Sequence, residues 1–293
     1  MFYRRKVIMA LLQKWQGELP SLDFQKILFL FTKKQKKPSY EFLPYKYGCF
    51  SFHSYADKRT MIKYEMIEDS DDNWITIDKN DYISMLTDED RNNLDKLYFE
   101  IKNLKGKDLV KYVYKKYPYY AINSQMLNIL SDDEKGDVIN EKPNIDSFEL
   151  FTIGYEGRSV EAYFNLLIKN DIHVLCDIRK NSISMKYGFS KSQLSRIAEK
   201  MGIIYVHIPQ LGIDSSKRQD LKTEDDYRRL FTEYRQEILP QQAHFLNIIY
   251  RLIKDNKRVA LTCFEADYKS CHRSEVANAL INLPKWNFLV SHI

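Results

Sequence analysis

The stretch 259–273 contains the side chains best suited to chemistry. An apolar run ends in Cys263 and Glu265, a polar bend follows, and a Cys-His-Arg triplet at 271–273 then opens a segment with helical spacing. A strand followed by a helix brings such side chains to one turn, and turns of this kind hold the ligand sites of many α/β proteins. The spacing therefore predicts a pocket at this turn, although it does not name the reaction.

Two carboxylates are the candidate acid and base of this pocket. Asp177 follows an apolar run, as Glu265 does. Two carboxyl groups in different surroundings can titrate apart, which is what acid–base or glycosidic cleavage requires. A tyrosine beside them could orient a substrate or transfer a proton. The residues predicted to be catalytic are Asp177, Glu265, Tyr155 and Cys271.

Three arginines predict an anionic ligand at the same place. Arg158, Arg179 and Arg273 would bring guanidinium groups toward one cleft, and the helix that starts near Cys271 would point free backbone N–H groups there. Planar guanidinium groups bind phosphates and carboxylates through paired hydrogen bonds. The alternative is that these arginines pair with neighbouring carboxylates and hold the loops. The predicted ligand-binding residues are Gly154, Arg158, Arg179, His272 and Arg273.

The two cysteines of the stretch suggest thiol catalysis or metal binding. A thiol at a helix N-terminus beside His and Arg has a lowered pKa, so Cys271 is the candidate nucleophile, whereas Cys263 is expected to pack at the end of a buried strand. With Glu265 and His272 the ligand types allow a metal cluster. Adjacent Cys-His pairs seldom aim both side chains at one ion, however, and a second C-x-x-C pair is missing. We therefore expect no metal site, and the sequence names no cofactor.

Apolar runs alternate with amphipathic segments from Phe148 onward. The predicted strands are 149–154, 173–178, 203–208, 259–264 and 287–292. The predicted helices are 159–170, 190–201, 225–237, 241–254 and 271–283. This is the α/β pattern of a Rossmann-like or flavodoxin-like parallel sheet. Ligands bind such sheets at the carboxyl ends of the strands, where every motif described above is predicted to lie.

Several short motifs occur in a fixed order in this half of the chain. They are Thr152-Ile153-Gly154-Tyr155-Glu156-Gly157-Arg158, Asp177-Ile178-Arg179 with Ser184, Tyr205, Leu211-Gly212, Cys263-Phe264-Glu265 and Cys271-His272-Arg273. In this order they resemble the domain of unknown function 488 family. The resemblance covers about half of the chain and implies the fold and the site, while the name of the family states no reaction. Ile213 stands where the family usually has a second glycine.

The first eighty residues show three helical segments followed by a short alternating run. Helical spacing covers 7–15 and 22–31, Ser51 could cap a third helix, and 74–77 alternates like a strand. Three helices before a small strand pair are the order of a winged helix-turn-helix, whose third helix often contacts DNA. A solvated basic face and a protein-binding winged helix are the alternatives. The predicted nucleic-acid-binding residues on the outer side of the third helix are Lys58, Arg59 and Lys63.

The segment 42–51 also carries a short signature. It contains Pro44-Tyr45-Lys46-Tyr47-Gly48 followed by Phe50-Ser51. This order resembles the Pro-Tyr-x-Tyr-Gly-Pro-x-Ser signature of Panacea-type, antitoxin-associated winged-helix domains. Cys49 stands where that pattern usually has proline. The resemblance covers about the first eighty residues and implies a winged-helix domain.

Length and composition favour a two-domain protein. The 293 residues are 44% hydrophobic, which suffices for two cores. We predict a winged-helix-like, mainly helical domain at 1–130, a linker at 131–147 and the α/β domain at 148–293. The net charge of +5 is compatible with an anionic partner but decides nothing by itself. Four cysteines without a secretory leader, and the lack of an apolar run near the roughly 18 residues of a membrane span, predict a soluble cytoplasmic protein without a membrane partner.

These patterns predict an enzyme that acts on nucleic acid or on a phosphorylated, nucleotide-like small molecule. The reaction would use carboxylate acid–base chemistry of the hydrolase or glycosidase type, in DNA processing or defence. The N-terminal domain would contact DNA. The alternative is a non-catalytic regulator that senses a small anion in the pocket and binds DNA or a protein.

Overall fold

The computed structural model of the chain describes residues 1–218 and 223–293. The chain divides into two compact units: unit 1 is Met1–Lys142 and unit 2 is Pro143–Ile293. Each unit has its own buried apolar residues. In the described ranges, no helix combines the length and the apolar character that a membrane span needs. The four cysteines, all of them buried free thiols, are Cys49, Cys176, Cys263 and Cys271.

Unit 1 is mainly helical. Its helices are α1 (Tyr3–Lys14), α2 (Ser21–Lys34), α3 (Phe52–Lys63), α4 (Asp88–Ile101), α5 (Gly106–Lys116) and α6 (Asp132–Glu141). Side chains satisfy free backbone N–H groups where α3, α4 and α6 begin. Ser51 accepts a hydrogen bond from the backbone of Ser54, and Thr87 accepts one from the backbone of Asp90. The helix predicted after Ser51 is therefore confirmed.

Helix α6 lies in the stretch that we predicted as a linker. Ser131 and Glu134 form a reciprocal capping box at its start, and Lys111 and Lys115 make ion pairs with Glu134. Val138 is the buried residue of this helix. The linker prediction is corrected over 132–141, because N-terminal capping and a single apolar anchor form a helix that apolar periodicity does not reveal.

The short strands of unit 1 form two antiparallel pairs. Strand β1 (Glu18–Pro20) pairs with β4 (Asn73–Ile75), and β2 (Leu43–Tyr45) pairs with β3 (Gly48–Phe50). The β2–β3 hairpin precedes α3, and β4 pairs with a strand that lies between α1 and α2. A winged-helix domain is thus not confirmed, because the strand that was expected to form the wing pairs with β1.

Unit 2 alternates strands and helices. Its strands are β5 (Glu149–Gly154), β6 (Val174–Asp177), β7 (Ile204–His207), β8 (Arg258–Cys263) and β9 (Leu289–His292). Its helices are α7 (Val160–Lys169), α8 (Lys191–Lys200), α9 (Glu224–Glu233), α10 (Ala243–Asn256) and α11 (His272–Ile281). Every residue of β6 and of β8 is buried, which explains why both strands read as nearly continuous apolar runs.

The strands of unit 2 form one parallel sheet in the order β7-β6-β8-β5-β9. The predicted α/β class with a parallel sheet is confirmed. Strand β8 lies between β6 and β5, so the order differs from the two common doubly wound orders. Helices α10 and α11 pack on one face of the sheet, in a core with Leu150 and Leu261. On the other face, the hydroxyl of Tyr163 from α7 donates to Thr262 at 2.7 Å.

The register of the strands decides which side chains share a face at the carboxyl edge. Asp177 pairs with Thr262, and Gly154 pairs with Cys263. Successive side chains of a strand alternate between the two faces. Since Thr262 faces α7, Asp177 also faces α7, whereas Cys263 faces α11.

Candidate functional site

Two thiols and one imidazole meet at the carboxyl end of β8. Cys263 is the last residue of β8, Cys271 is the N-cap of α11 and His272 is the first residue of that helix. The Nδ1 atom of His272 lies 3.6 Å from the sulfur of Cys263 and 3.9 Å from the sulfur of Cys271. Each of the three residues is 1% exposed. We call these three residues the Cys-Cys-His cluster; it is enclosed beneath the carboxyl edge of the sheet.

Glu265 brings a carboxylate beside the Cys-Cys-His cluster. The thiol of Cys263 donates a hydrogen bond to Oε2 of Glu265 at 3.2 Å. Glu265 is partly exposed, in contrast to the thiol that it contacts. This residue therefore connects the enclosed cluster with the solvent-accessible carboxyl edge.

Backbone contacts hold the loop that carries Glu265. The N–H groups of Tyr155 and Glu156 donate to the carbonyl oxygen of Phe264 at 3.1 and 2.9 Å. An added β-carbon on Gly154 would lie 1.8 Å from the carbonyl oxygen of Glu265. Gly154, predicted to bind a ligand, thus allows the loops after β5 and β8 to approach each other closely.

Arg273, in the first turn of α11, holds the same loop in place. The residue is 1% exposed, and its guanidinium donates to the carbonyl oxygens of Glu265 and Ala266. Its Nε atom also donates to the hydroxyl of Thr152 at 3.4 Å. These contacts agree with the alternative that arginines hold the loops, although their partners are mainly carbonyl oxygens rather than carboxylates.

Asp177 and Arg179 form a buried ion pair on the α7 face of the sheet. The Nε and Nη2 atoms of Arg179 donate to the two carboxylate oxygens of Asp177 at 2.8 and 2.6 Å, and the hydroxyl of Tyr205 donates to Asp177 at 2.6 Å. The Nη1 atom of Arg179 donates to the Tyr155 hydroxyl and to the Phe189 carbonyl, both at 2.9 Å. Asp177 is 0% exposed and Arg179 is 5% exposed. This network ties the loop after β6 to the end of β5.

The residues that were predicted to form a single site therefore form two clusters on opposite faces of the sheet. Asp177 pairs with Thr262, the residue before Cys263 on β8. The side chains of Asp177 and Cys263 therefore point to opposite faces of the sheet. The carboxylate oxygens of Asp177 accept hydrogen bonds from Arg179 and Tyr205 in an enclosed position. The prediction that Asp177 and Glu265 share one pocket as acid and base is corrected accordingly.

Tyr155 belongs to the buried network on the α7 face. Its ring is 4% exposed and stacks on Phe189, with centroids 4.3 Å apart and planes 10° apart. The ring also meets Phe264 edge-on at 5.3 Å. The structure places this predicted catalytic residue between the two loops, where its hydroxyl accepts a hydrogen bond from Arg179.

Burial is the main cause of the pKa shift of the Cys271 thiol. Desolvation raises the pKa of Cys271 well above its ordinary range, Cys263 and Glu265 add to the rise, and Arg273 opposes it. The predicted low-pKa thiolate is wrong, because burial outweighs the helix N-terminus and the nearby guanidinium. Cys263, expected to pack only, contacts the imidazole of His272.

Arg158 and Lys186 are partly exposed cations beside the loop after β5. The Nη1 atom of Arg158 donates to the carbonyl oxygen of Gly154 at 3.1 Å, and Nζ of Lys186 donates to that of Tyr155 at 2.9 Å. Burial is the main cause that lowers the pKa of both groups. Lys186 was not among the predicted site residues, although its place in the loop after an apolar strand was a usable signal.

The three basic residues predicted to bind nucleic acid lie on α3 of unit 1. Arg59 and Lys63 are exposed. Lys58 is 4% exposed, and its amino group donates to the carbonyl oxygens of Ser70 and Asn73. The prediction of Lys58 on the outer side of the helix is wrong, because Ser70 in the segment after α3 and Asn73 at the start of β4 cover its amino group with these oxygens. Arg59 and Lys63 are four residues apart, which places them on one helix face.

The fold and the site of unit 2 define an α/β domain with a parallel sheet, a buried Cys-Cys-His cluster and a partly exposed glutamate at its carboxyl edge. Residues 159–280 match the model of a family described as "Domain of unknown function DUF488". This match within unit 2 confirms the resemblance found in the motifs. The Panacea-type resemblance of the N-terminal part is not confirmed. Comparison with curated proteins and with solved structures gave no match.

Proposed function

We propose that unit 2 is an enzyme that hydrolyses nucleic acid or a phosphorylated, nucleotide-like substrate, with Glu265 as the general acid or base. The observation that carries this proposal is the position of Glu265, a partly exposed carboxylate at the carboxyl edge of a parallel sheet. Arg273 and Gly154 fix the loop on which it stands. Acid–base catalysis requires a titratable group held in such a defined position.

The reaction would use Glu265 to move one proton. The carboxylate takes a proton from water while the water oxygen bonds to the reacting phosphorus or carbon, and the bond to the leaving group breaks. The proton then passes to the leaving group, so that one water molecule is consumed for each bond cleaved.

Arg158 and Lys186 would supply the positive charge for an anionic substrate. Both are partly exposed beside the loop after β5, which is hydrogen-bonded to the loop after β8. Arg179 and Arg273, the other candidates, are buried and donate to protein groups. We therefore assign anion binding to Arg158 and Lys186, and support of the loops to the two buried arginines.

The turnover test uses the full chain and a panel of nucleotides and single- and double-stranded DNA and RNA oligonucleotides. Products are identified by liquid chromatography and mass spectrometry. Glu265→Gln is expected to lower the rate by about 100-fold or more, which is the usual contribution of a general acid or base. Glu199→Gln changes an exposed glutamate near the C-terminal end of α8 and should leave the rate unchanged. Equal rates in the two variants would refute the proposed role of Glu265.

The binding test separates the anion contacts from the chemistry. Arg158→Ala and Lys186→Ala should each weaken binding of the identified nucleotide by about 10-fold, the scale of one hydrogen bond to a charged group. The loss should shrink as the salt concentration rises. Arg251→Ala and Lys285→Ala replace exposed cations elsewhere in unit 2 and serve as controls.

The alternative function is a non-catalytic regulator that binds DNA through unit 1. The exposed, same-face pair Arg59 and Lys63 on α3 favours it. Sequence-specific DNA binding that survives Glu265→Gln, without turnover of any substrate in the panel, would support this function. Each of Arg59→Ala and Lys63→Ala should then lower the salt dependence of binding by about one unit of slope. Lys96→Ala on α4 is the matched control.

Two further assignments accompany the proposed function. We propose a Rossmann-like classification for unit 2, supported by a parallel sheet that carries helices on both faces. We also propose a cytoplasmic location, supported by the four free, buried thiols of the chain.

A further inference from the structure

We propose that the Cys-Cys-His cluster binds one thiophilic divalent cation of the zinc class. The three donor atoms are Sγ of Cys263, Sγ of Cys271 and Nδ1 of His272, and they all lie within 4.8 Å of one another. This proposal does not depend on the proposed enzymatic function, because the bound ion could have a purely structural role. The start of α11 aims the adjacent side chains of Cys271 and His272 at the same place as Cys263 from the end of β8, contrary to the expectation from the sequence.

The spacing of the donor atoms fits a tetrahedral ion. Zinc–sulfur bonds of about 2.3 Å and zinc–nitrogen bonds of about 2.0 to 2.1 Å place sulfur and nitrogen roughly 3.5 to 3.6 Å apart at a tetrahedral angle. His272 Nδ1 lies 3.6 Å from one sulfur and 3.9 Å from the other. Small side-chain adjustments are therefore enough to bring all three donors to bonding distance of one ion.

The imidazole of His272 has the orientation of a metal-binding histidine. Its Nε2 atom lies 3.3 Å from the backbone carbonyl oxygen of Ile178, the residue that follows β6. With the proton on Nε2, this nitrogen donates to the carbonyl and Nδ1 keeps its lone pair for the ion. Ligating histidines commonly use a backbone carbonyl in this way, because the hydrogen bond fixes both tautomer and ring orientation.

The donor types select a soft cation. Thiolate sulfur and imidazole nitrogen favour Zn²⁺ over Mg²⁺ or Ca²⁺, which bind oxygen ligands. Two thiolates and one neutral imidazole balance the charge of a divalent ion, which suits three residues that are each 1% exposed. Binding therefore releases the two thiol protons and leaves the ion and its three ligands without net charge.

The fourth position of the ion would face Glu265. Two cysteines and one histidine are a known ligand set of catalytic zinc sites, in which water completes the tetrahedron. The Glu265 carboxylate lies 3.2 Å from the sulfur of Cys263. A carboxylate at this distance can accept a hydrogen bond from a water in the fourth position, so we assign three protein ligands to the ion and keep Glu265 beside it.

The first experiment measures the metal content of the full chain. The protein is purified without chelator in a phosphine reductant, stripped, reloaded with ZnCl₂ and analysed by plasma mass spectrometry. We expect about one tightly bound zinc ion per chain. Cys263→Ser and Cys271→Ser should each weaken zinc binding by more than the roughly 10- to 100-fold cost of losing an outer-shell partner. Cys176→Ala removes a buried thiol of β6 and should keep the zinc content of the unaltered chain.

Cobalt(II) reports the geometry and the donor types directly. Titration of the stripped chain with CoCl₂ should give the intense visible bands of a tetrahedral ion and a near-ultraviolet thiolate-to-cobalt band. His272→Ala should lose the tetrahedral spectrum, whereas His272→Cys should keep it with a stronger thiolate band. Rescue by cysteine distinguishes a metal ligand from an imidazole that only fills space.

Three outcomes would overturn the proposal. The first is a folded, fully reduced chain that binds neither ion, with folding checked by circular dichroism and reduction by thiol titration after denaturation. The second is a cobalt spectrum that lacks the thiolate band or is unchanged by both serine variants. The third is a disulfide between Cys263 and Cys271 that persists in the reductant. A chain that binds zinc but turns over no substrate would refute the enzymatic proposal and support this one.

Discussion

The backbone carbonyl oxygen of Glu265 lies in the space that a β-carbon on Gly154 would occupy. The separation would be 1.8 Å, and the carbonyl carbon of Glu265 would lie at 2.6 Å. The ends of β5 and β8 therefore pack backbone against backbone. The carboxylate of Glu265 depends on this contact for its place at the edge of the sheet.

Gly154→Ala should destabilise the loops after β5 and β8. The added methyl group meets backbone atoms that cannot rotate away, so the cost should reach roughly 3 kcal/mol, the upper part of the usual range for overpacking. Hydrogen exchange followed by mass spectrometry should show lost protection in peptides that contain these loops. Gly136→Ala in α6 is the control, because an added β-carbon there has open space and should stabilise the helix by about 0.5 to 1 kcal/mol. Unchanged protection in Gly154→Ala would contradict the observed contact.

Asp177→Asn should strongly destabilise unit 2. The substitution leaves the buried guanidinium of Arg179 without its charged partner, which typically costs about 3 to 5 kcal/mol. Tyr205→Phe removes a single hydrogen bond to Asp177 and should cost less, about 1 to 3 kcal/mol. Urea unfolding measures both effects. Asp225→Asn breaks an exposed ion pair with Arg228 and should cost under about 1 kcal/mol; a similar cost for Asp177→Asn would show that the buried pair is not stabilising.

Glu100 should make unit 1 sensitive to acid. Hydrogen bonds from Lys34, Tyr112 and Lys116 lower the pKa of its carboxyl from an ordinary 4.5 to about 2. The folded chain therefore keeps the carboxylate ionised where the unfolded chain protonates it, and this contribution to stability is present above pH 4.5 and lost as the pH falls toward 2. As the pH falls across this range, the unfolding free energy of the Glu100→Gln variant should decrease less steeply than that of the unaltered chain. An unchanged slope in that variant, relative to the exposed Glu141→Gln control, would contradict the assignment.

Lys26→Met should stabilise unit 1 at neutral pH. Lys26 is 1% exposed, and its amino group lies 3.3 Å from the carbonyl oxygen of Cys49. Burial lowers the pKa of Lys26, so the unfolded chain binds a proton that the folded chain holds less tightly. Replacement by a similar apolar side chain removes this penalty and should gain about 1 kcal/mol or more.

The gain from Lys26→Met should shrink as the pH rises toward 10.5, the ordinary pKa of lysine, because the unfolded lysine then loses its proton as well. Denaturant unfolding at several pH values measures this trend. Lys36→Met at an exposed position is the control and should change stability by less than about 0.5 kcal/mol. A Lys26→Met variant less stable than the unaltered chain would show that the amino group contributes to the fold.

The helices and strands of unit 2 were largely predictable because their signals are local. The predicted strand 149–154 coincides with β5, and the predicted helix 159–170 contains α7 with Ser159 as its side-chain cap. Apolar runs, helical spacing and capping residues depend on neighbours within a few positions. Helix α6 was missed for the same reason, since its one buried apolar residue, Val138, leaves no periodic pattern.

The partners of charged side chains were not predictable. Arg273 and Lys58 both look like exposed cations in the sequence, yet each donates to backbone carbonyl oxygens of another segment. Such oxygens carry no sequence signature, because every residue has one. Only the folded chain shows which carbonyl groups are left to accept these hydrogen bonds.

The sequence by itself determined that the reactive residues of unit 2 gather at the carboxyl edge of a parallel sheet, because strand direction and helix alternation are written in local patterns. Only the tertiary structure decided how these residues are distributed between the two faces of the sheet. Strand β8 lies between β6 and β5, and the register turns Asp177 toward α7 and Cys263 toward α11. Strand order and register arise from contacts between segments far apart in the chain, so the meeting of Cys263, Cys271 and His272 became visible only in the fold.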